Sequence, residues 1–336
     1  MRRPDFSNLL SILNRKKPER ATLFEFFLNE KLHEEVTGIQ ITTGSAEEFI
    51  MRRVRAFEAL GFDYATVQLD FKFPDAQELN RGKSAPAESA VSDISSFKQY
   101  PWPEPDNFNY SILEEMTPRI PEGMKLIVCG PGGVLENAVK LVGYDNLCFM
   151  SVDNPDLLHK IFEQIGSRLA EYYKLAGRYS IVGAMISNDD WGFKTQTRLS
   201  PDSLREYVFP WHCRIVEAIH NAGKPAILHS CGYLEPVMDD IINVMKYDAK
   251  HSFEDNIYPV EQAYKELNGQ IGILGGIDMD FLCRKTPEEI YRRSKNMLEL
   301  SSSKGGYALG SGNSIPEYIK YENFKAMTDA ALGTSR

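Results

Sequence analysis

His229 and Cys231 stand two residues apart where the apolar run Ala226-Ile227-Leu228 gives way to Ser230 and Gly232. On a strand, residues two apart face the same way. An imidazole and a thiolate side by side at a buried strand end are donor types that zinc takes readily. The plain alternative is a core histidine beside an inert buried cysteine, the commoner fate of either residue alone. The position of that strand in the fold decides between them.

The rest of the chain supplies that position. An amphipathic helix is predicted over 5–17, ended by Pro18, then a strand over 21–27 with Glu25 near its end. A helix over 46–60 is closed by Gly61, and a strand over 64–70 ends in Asp70. Further strands are predicted at 125–130, 181–186, 225–230, 248–253, 271–278 and 306–311. Helices at 134–143, 155–176, 200–221, 234–245, 259–268, 286–303 and 317–332 alternate with them, with Ser200-Pro201 and Thr286-Pro287 as helix starts. No Gly-x-Gly-x-x-Gly follows the first strand, so a dinucleotide site is not indicated. Strand–helix alternation repeated eight times predicts an α/β fold, a TIM (β/α)8 barrel forming a single domain over 1–336. Residues 71–123 break the rhythm with Pro74, Pro86, Pro101, Pro103 and Pro105 among aromatics such as Tyr100 and Trp102. They are expected as a long insertion after the second strand, a lid over the barrel mouth.

Composition narrows the function. The net charge of −9 argues against a nucleic-acid surface. No apolar window is long enough for a membrane span, and Asp5 and Asn8 interrupt any leader-like core at the N-terminus. Five widely spaced cysteines read as reduced thiols, so a cytoplasmic location is expected.

Barrel chemistry gathers at the C-terminal ends of strands. Those ends carry Glu25, Gln68, Asp70, Cys129, Asn188, Asp189, Asp190, His229, Cys231, Ser252, Glu254, Asp278, Ser311 and Asn313. Asp189 and Asp190 precede Trp191 directly after a buried strand; one of the pair is expected to cap a turn and the other to meet ligand. Asp70, Asp189 and Asp190 are the catalytic candidates. Glu25, Gln68, Asn188, Trp191 and Asn313 are the substrate-binding candidates. His251 is expected to support the site from behind.

Leu228-His229-Ser230-Cys231-Gly232, Gly130-Pro131-Gly132-Gly133, Asp189-Asp190-Trp191-Gly192-Phe193, Gly275-Gly276-Ile277-Asp278, Thr286-Pro287-Glu288-Glu289 and Gly305 through Asn313 occur in an order that resembles the uroporphyrinogen decarboxylase superfamily. The resemblance runs from about residue 5 to 332, and implies the same barrel. It also implies one of two chemistries. The decarboxylases need no cofactor, hold propionates on arginines after the first strand, and use an aspartate after the second, which Asp70 matches. The arginines are absent: Phe24-Glu25-Phe26-Phe27-Leu28-Asn29-Glu30 stands there, and Glu25 and Glu30 would repel a polycarboxylate. The other branch holds cobalamin-dependent methyltransferases with zinc on His-x-Cys and a distant cysteine near the last strand. His229 and Cys231 match; the third position falls at Ser311, a poor zinc ligand. Glu254, Asp278, Cys283 and Glu25 are the alternatives for that ligand. The resemblance therefore implies a methyltransferase working between a small molecule and a corrinoid carried on a separate protein, with zinc as cofactor and a homodimer as a possible assembly. A tetrapyrrole decarboxylase is the first alternative and a non-catalytic ligand-binding barrel the second.

Overall fold

The computed structural model describes residues 2–40, 44–79 and 89–333. Seven parallel strands lie in chain order in one sheet: β1 (Tyr64–Gln68), β2 (Lys125–Cys129), β3 (Val182–Asn188), β4 (Ala226–His229), β5 (Ala249–His251), β6 (Gly272–Leu274) and β7 (Tyr307–Ala308). Their residues are almost all buried, as expected of strands covered on both faces. The connecting segments carry the helices, and each return is a βα crossover. Thr286 and Glu289 form a reciprocal cap on the helix Pro287–Ser301, which explains its sharp start.

The first expected strand, 21–27, is not a ladder strand, and the reason is a side chain. Phe24 donates its N–H to Leu309 and Leu309 donates to Thr22, so this segment does pair with the last strand. On its other side, the Tyr64 hydroxyl meets both the N–H and the C=O of Glu25 at 2.6 Å. Those are the groups that would otherwise bond to the backbone of β1. The sheet is thus curled, with 22–28 bridged to its last strand. Residues 234–245, expected as one helix, are one helical run over 235–244 that winds as a 3-10 turn (Glu235–Val237), passes through Met238 and Asp239 in α geometry and ends as a π turn (Asp240–Val244).

Within 71–123, residues 80–88, Pro86 among them, lie outside the described residues. The described part packs beside the helices Val134–Val142 and Pro155–Ala176. Phe71 stacks on Tyr172, Arg168 donates to the carbonyl of Pro103, and Ala90 donates to Leu141. No described helix is long and apolar enough to cross a membrane.

Candidate metal centre

β3, β4 and β5 end level with one another, because Asn188 is in register with His229 and His229 with His251. The loops that follow β3 and β4 are joined rung by rung. Asp189 N–H donates to His229 C=O, Trp191 N–H to Ser230 Oγ, and Tyr233 N–H to Phe193 C=O. Cys231 N–H donates to Asp190 Oδ1 at 2.9 Å. This needs glycine on both sides: a Cβ on Gly232, whose φ is +85°, would come within 2.4 Å of the Gly192 carbonyl carbon. Asp190, His229 and Cys231 are thereby brought together, with one ligand atom from each lying within 4.8 Å of the others.

The proton positions on the imidazoles follow from the ends of the chain of bonds. His251 Nε2 lies 3.1 Å from the Ser311 carbonyl oxygen, which can only accept. His251 Nε2 therefore carries the proton. Burial holds both imidazoles neutral, His251 well below its ordinary range and His229 down to about 3. In a neutral ring the second nitrogen has no proton, so His251 Nδ1 accepts from His229 Nδ1–H at 2.8 Å. His229 Nε2 is left as a bare lone pair, 3.7 Å from Cys231 Sγ. A tetrahedral ion bound to one nitrogen and one sulfur would set those atoms about 3.5 Å apart. Phe26 covers the His229 ring at 4.3 Å between centroids and shields it from water.

The donor set fits zinc: one nitrogen, one sulfur, one carboxylate oxygen and a supporting partner behind the histidine. Without a cation, burial and then the Asp190 carboxylate push the Cys231 thiol up to about 12. Asn313 directs its side-chain N–H at the sulfur over 3.3 Å, a contact that favours a thiolate.

The other expected residues are distributed around this centre. Asp189 is the capping member of the pair: it is fully buried, and its carboxylate accepts from Leu135 N–H, Glu136 N–H and His212 Nε2, each at 2.9 Å. It thus starts the helix Val134–Val142, and Gly133 is required there because a Cβ would fall 2.1 Å from the Asp189 side chain. Trp191 is buried against Phe209 and His212, behind the loop and not in the mouth. Asn188 donates to Glu136 and Gln68 to the Gly130 carbonyl, and Asp70 is exposed at the end of β1. Asp278 caps the helix Met279–Arg284.

Of the ligand alternatives, none of Glu25, Glu254, Asp278 and Cys283 joins the cluster among the described residues. Cys283 is exposed on the helix Met279–Arg284. Ser311 has a different task. Its N–H and hydroxyl both meet the fully buried Glu25 carboxyl, and its hydroxyl also reaches the Asn313 carbonyl. Burial pushes Glu25 up to about 8, so at neutral pH it is mostly protonated and donates to Ser311 Oγ, which donates onward to Asn313.

Glu136 was not singled out by the sequence. Burial, with Asp189 behind it, pushes its carboxyl up to about 7. Its carboxylate accepts from the N–H of Gly133, the residue that precedes the helix, and a glutamate three residues after that glycine was the available signal. Lys250 was missed as well; a lysine inside a strand of buried residues was the clue.

A curled parallel α/β sheet with its donor cluster at the C-terminal strand ends defines the class. Residues 79–333 match the family model described as uroporphyrinogen decarboxylase (URO-D), and the chain belongs to that family. A uroporphyrinogen decarboxylase of Anaeromyxobacter sp. (strain Fw109-5) is 24% identical over 306 residues, 87% of this chain and 83% of that protein. One from Anaeromyxobacter dehalogenans (strain 2CP-C) is 26% identical over 209 residues, and the match spans 60% of this chain and only 56% of that protein. Among solved structures, a methyltransferase from Methanosarcina mazei superposes with a TM-score of 0.73 over 97% of this chain and 98% of that one, at 14% identity. A putative vitamin-B12 independent methionine synthase from Listeria monocytogenes gives 0.53 over 94% and 99%, also at 14%.

Proposed function

We propose that this chain is a zinc-assisted methyltransferase that moves a methyl group between a small molecule and a corrinoid carried by a separate protein. The observation that carries the reading is the cluster of Asp190, His229 and Cys231 with the His229 lone pair fixed by His251. The zinc, when bound, supplies Lewis acidity that lowers the proton affinity of a thiol or hydroxyl of the substrate. The chain's own residues do the rest. His251 holds His229 in the one tautomer that can donate through Nε2. Cys231 would hold the cation as a thiolate, and the Asn313 N–H faces its sulfur. Glu136, its carboxyl pushed up to about 7 and bonded to Asn188 at the end of β3, would take the proton that a substrate thiol or hydroxyl loses. The chain acts as one domain, with the described parts of the insertion, 71–79 and 89–123, as cover on the β1–β2 side of the mouth.

Metal analysis of protein purified without added zinc tests this. About one equivalent is expected, falling to a small fraction in His229→Ala, Cys231→Ala and Asp190→Ala, together with methyl exchange from methylcobalamin. Metal-free wild-type protein, or variants that keep the metal, would overturn it. One observation favours the decarboxylase instead: Asp70 is exposed at the end of β1, where an aspartate could meet pyrrole N–H groups. Metal-independent turnover of uroporphyrinogen, abolished by Asp70→Asn, would establish that alternative.

A further inference from the structure

Alternation along β5 sends two polar side chains to opposite faces of the sheet. His251 turns inward, to His229 and the ring of Phe24. Lys250, in register with Leu228, turns outward and is only 3% exposed. Its ammonium donates to the carbonyls of Ser252 at 2.6 Å and Ser230 at 3.3 Å, and lies 4.4 Å from the Phe253 ring centroid. All three partners are uncharged, and among the described residues the ammonium forms no ion pair. Asp190 and Glu254 act on it only through space, without a hydrogen bond, and a buried cation with no directly bonded counter-charge is expensive to keep. An ammonium has three N–H groups, and the two carbonyls take two of them.

A cavity of about 270 Å³ adjoins this ammonium, between the loops after β4 and β5 and the helix Val260–Leu267. Its walls include Leu234, Met238, Phe253 and Ile257. Ser252 also lines it; its hydroxyl is buried, with the Cys231 sulfur beside it and no nitrogen or oxygen partner. Asp190, His229 and Cys231 do not line the cavity, so it is a separate site that backs onto the metal centre through Ser252 and Gly232. Glu235 and Glu266, which also line it, each accept from a neighbouring tyrosine hydroxyl, and Glu254 adds a third carboxylate. Those carboxylates disfavour a polyanion, whereas the apolar walls suit a hydrocarbon body.

We propose that this cavity binds a small monocarboxylate with an apolar body, its carboxylate on the Lys250 ammonium and the Ser252 hydroxyl. The site stands whether or not the chain transfers methyl groups. Burial pulls Lys250 down to about 8, which still leaves it mostly charged at neutral pH.

Isothermal titration calorimetry with 3-phenylpropionate and its neutral amide provides the test. The carboxylate is expected to bind saturably, and the amide roughly tenfold more weakly or worse. Lys250→Met is expected to lose about as much affinity for the carboxylate. Met238→Trp fills the cavity and leaves the ammonium in place, so it must also abolish binding while the zinc content is unchanged; it serves if Lys250→Met does not fold. Equal binding of acid and amide, wild-type binding by Met238→Trp, or no saturable heat from 3-phenylpropionate, 4-methylpentanoate or butyrate at about 10 mM would overturn the proposal.

Discussion

Glu25→Gln is expected to stabilise the protein, and increasingly so as the pH rises. The buried carboxyl titrates near 8 in the folded protein against an ordinary 4.5 when unfolded. Between those values the folded state holds a proton that the unfolded chain has released. Stability from this group is therefore complete below about pH 4.5 and drains away as the pH climbs toward 8. Each pH unit in that window removes about 1.4 kcal/mol. The loss is under about 1 kcal/mol at pH 5, about 3 at pH 7 and about 4 at pH 8. Glutamine reproduces the neutral carboxyl: its oxygen accepts from Ser311 N–H and its amide donates to Ser311 Oγ, and it does not ionise. Urea unfolding of both proteins, followed by far-ultraviolet circular dichroism at pH 5 and pH 8, measures the difference, and other titrating groups cancel between the two. Near equality at pH 5 and an advantage of several kcal/mol for the variant at pH 8 are expected. A difference that is the same at both pH values, or a variant less stable at pH 8, refutes the protonated Glu25.

Three further outcomes test the framework of the site. His251→Phe keeps an aromatic ring against Phe24 and Phe26 but removes the acceptor for His229 Nδ1–H; zinc affinity, read by competition with a chromophoric chelator, should fall about 10–100-fold. An unchanged affinity would show that the relay does not set the tautomer. Asp189→Asn puts an amide N–H2 against one of the two N–H groups, Leu135 or Glu136, that the two carboxylate oxygens accept from, and should cost about 1–3 kcal/mol in urea unfolding. Gly133→Ala drives a methyl group into the Asp189 carboxylate and should cost about 1–3 kcal/mol, with loss of zinc if Asp190 moves with its neighbour. Stability equal to wild type in either variant would mean that the β3 loop is not anchored there.

The β/α rhythm was legible because each strand is a short apolar run and each helix carries its own stop and start, such as Gly61 or Thr286-Pro287. The strand at 21–27 misled because its residues are strand-like while its fate is set by a partner 39 residues away, the Tyr64 hydroxyl on Glu25. The pair His229 and Cys231 was legible because two donors two apart on one strand need no long-range knowledge. The division of labour between Asp189 and Asp190 was foreseen in kind but not by residue. It depends on which carboxylate reaches the start of the helix Val134–Val142, and that is a distance across the sheet. Lys250 and Glu136 escaped because one lysine or glutamate looks like any other until burial and neighbours are known.

In the candidate centre the third possible donor, Asp190, lies beside the first two in space, not at the far strand. Ser311 sits near the end of β7, and its hydroxyl is already committed to Glu25 and Asn313. Its backbone carbonyl is committed as well, to His251. It contributes to the centre through two indirect routes: the carbonyl fixes the imidazole tautomer, and the hydroxyl holds the Asn313 loop whose amide faces Cys231. A donor from the neighbouring loop replaces the one the last strand does not give. Asp190 can fill that place because its Oδ1 is tied to Cys231 N–H, so the carboxylate and the thiol are fixed relative to each other before any cation arrives. A carboxylate in place of a second thiolate keeps the charge of the donor set while making it harder, so a cation held there should be a stronger Lewis acid toward substrate than one held by two sulfurs.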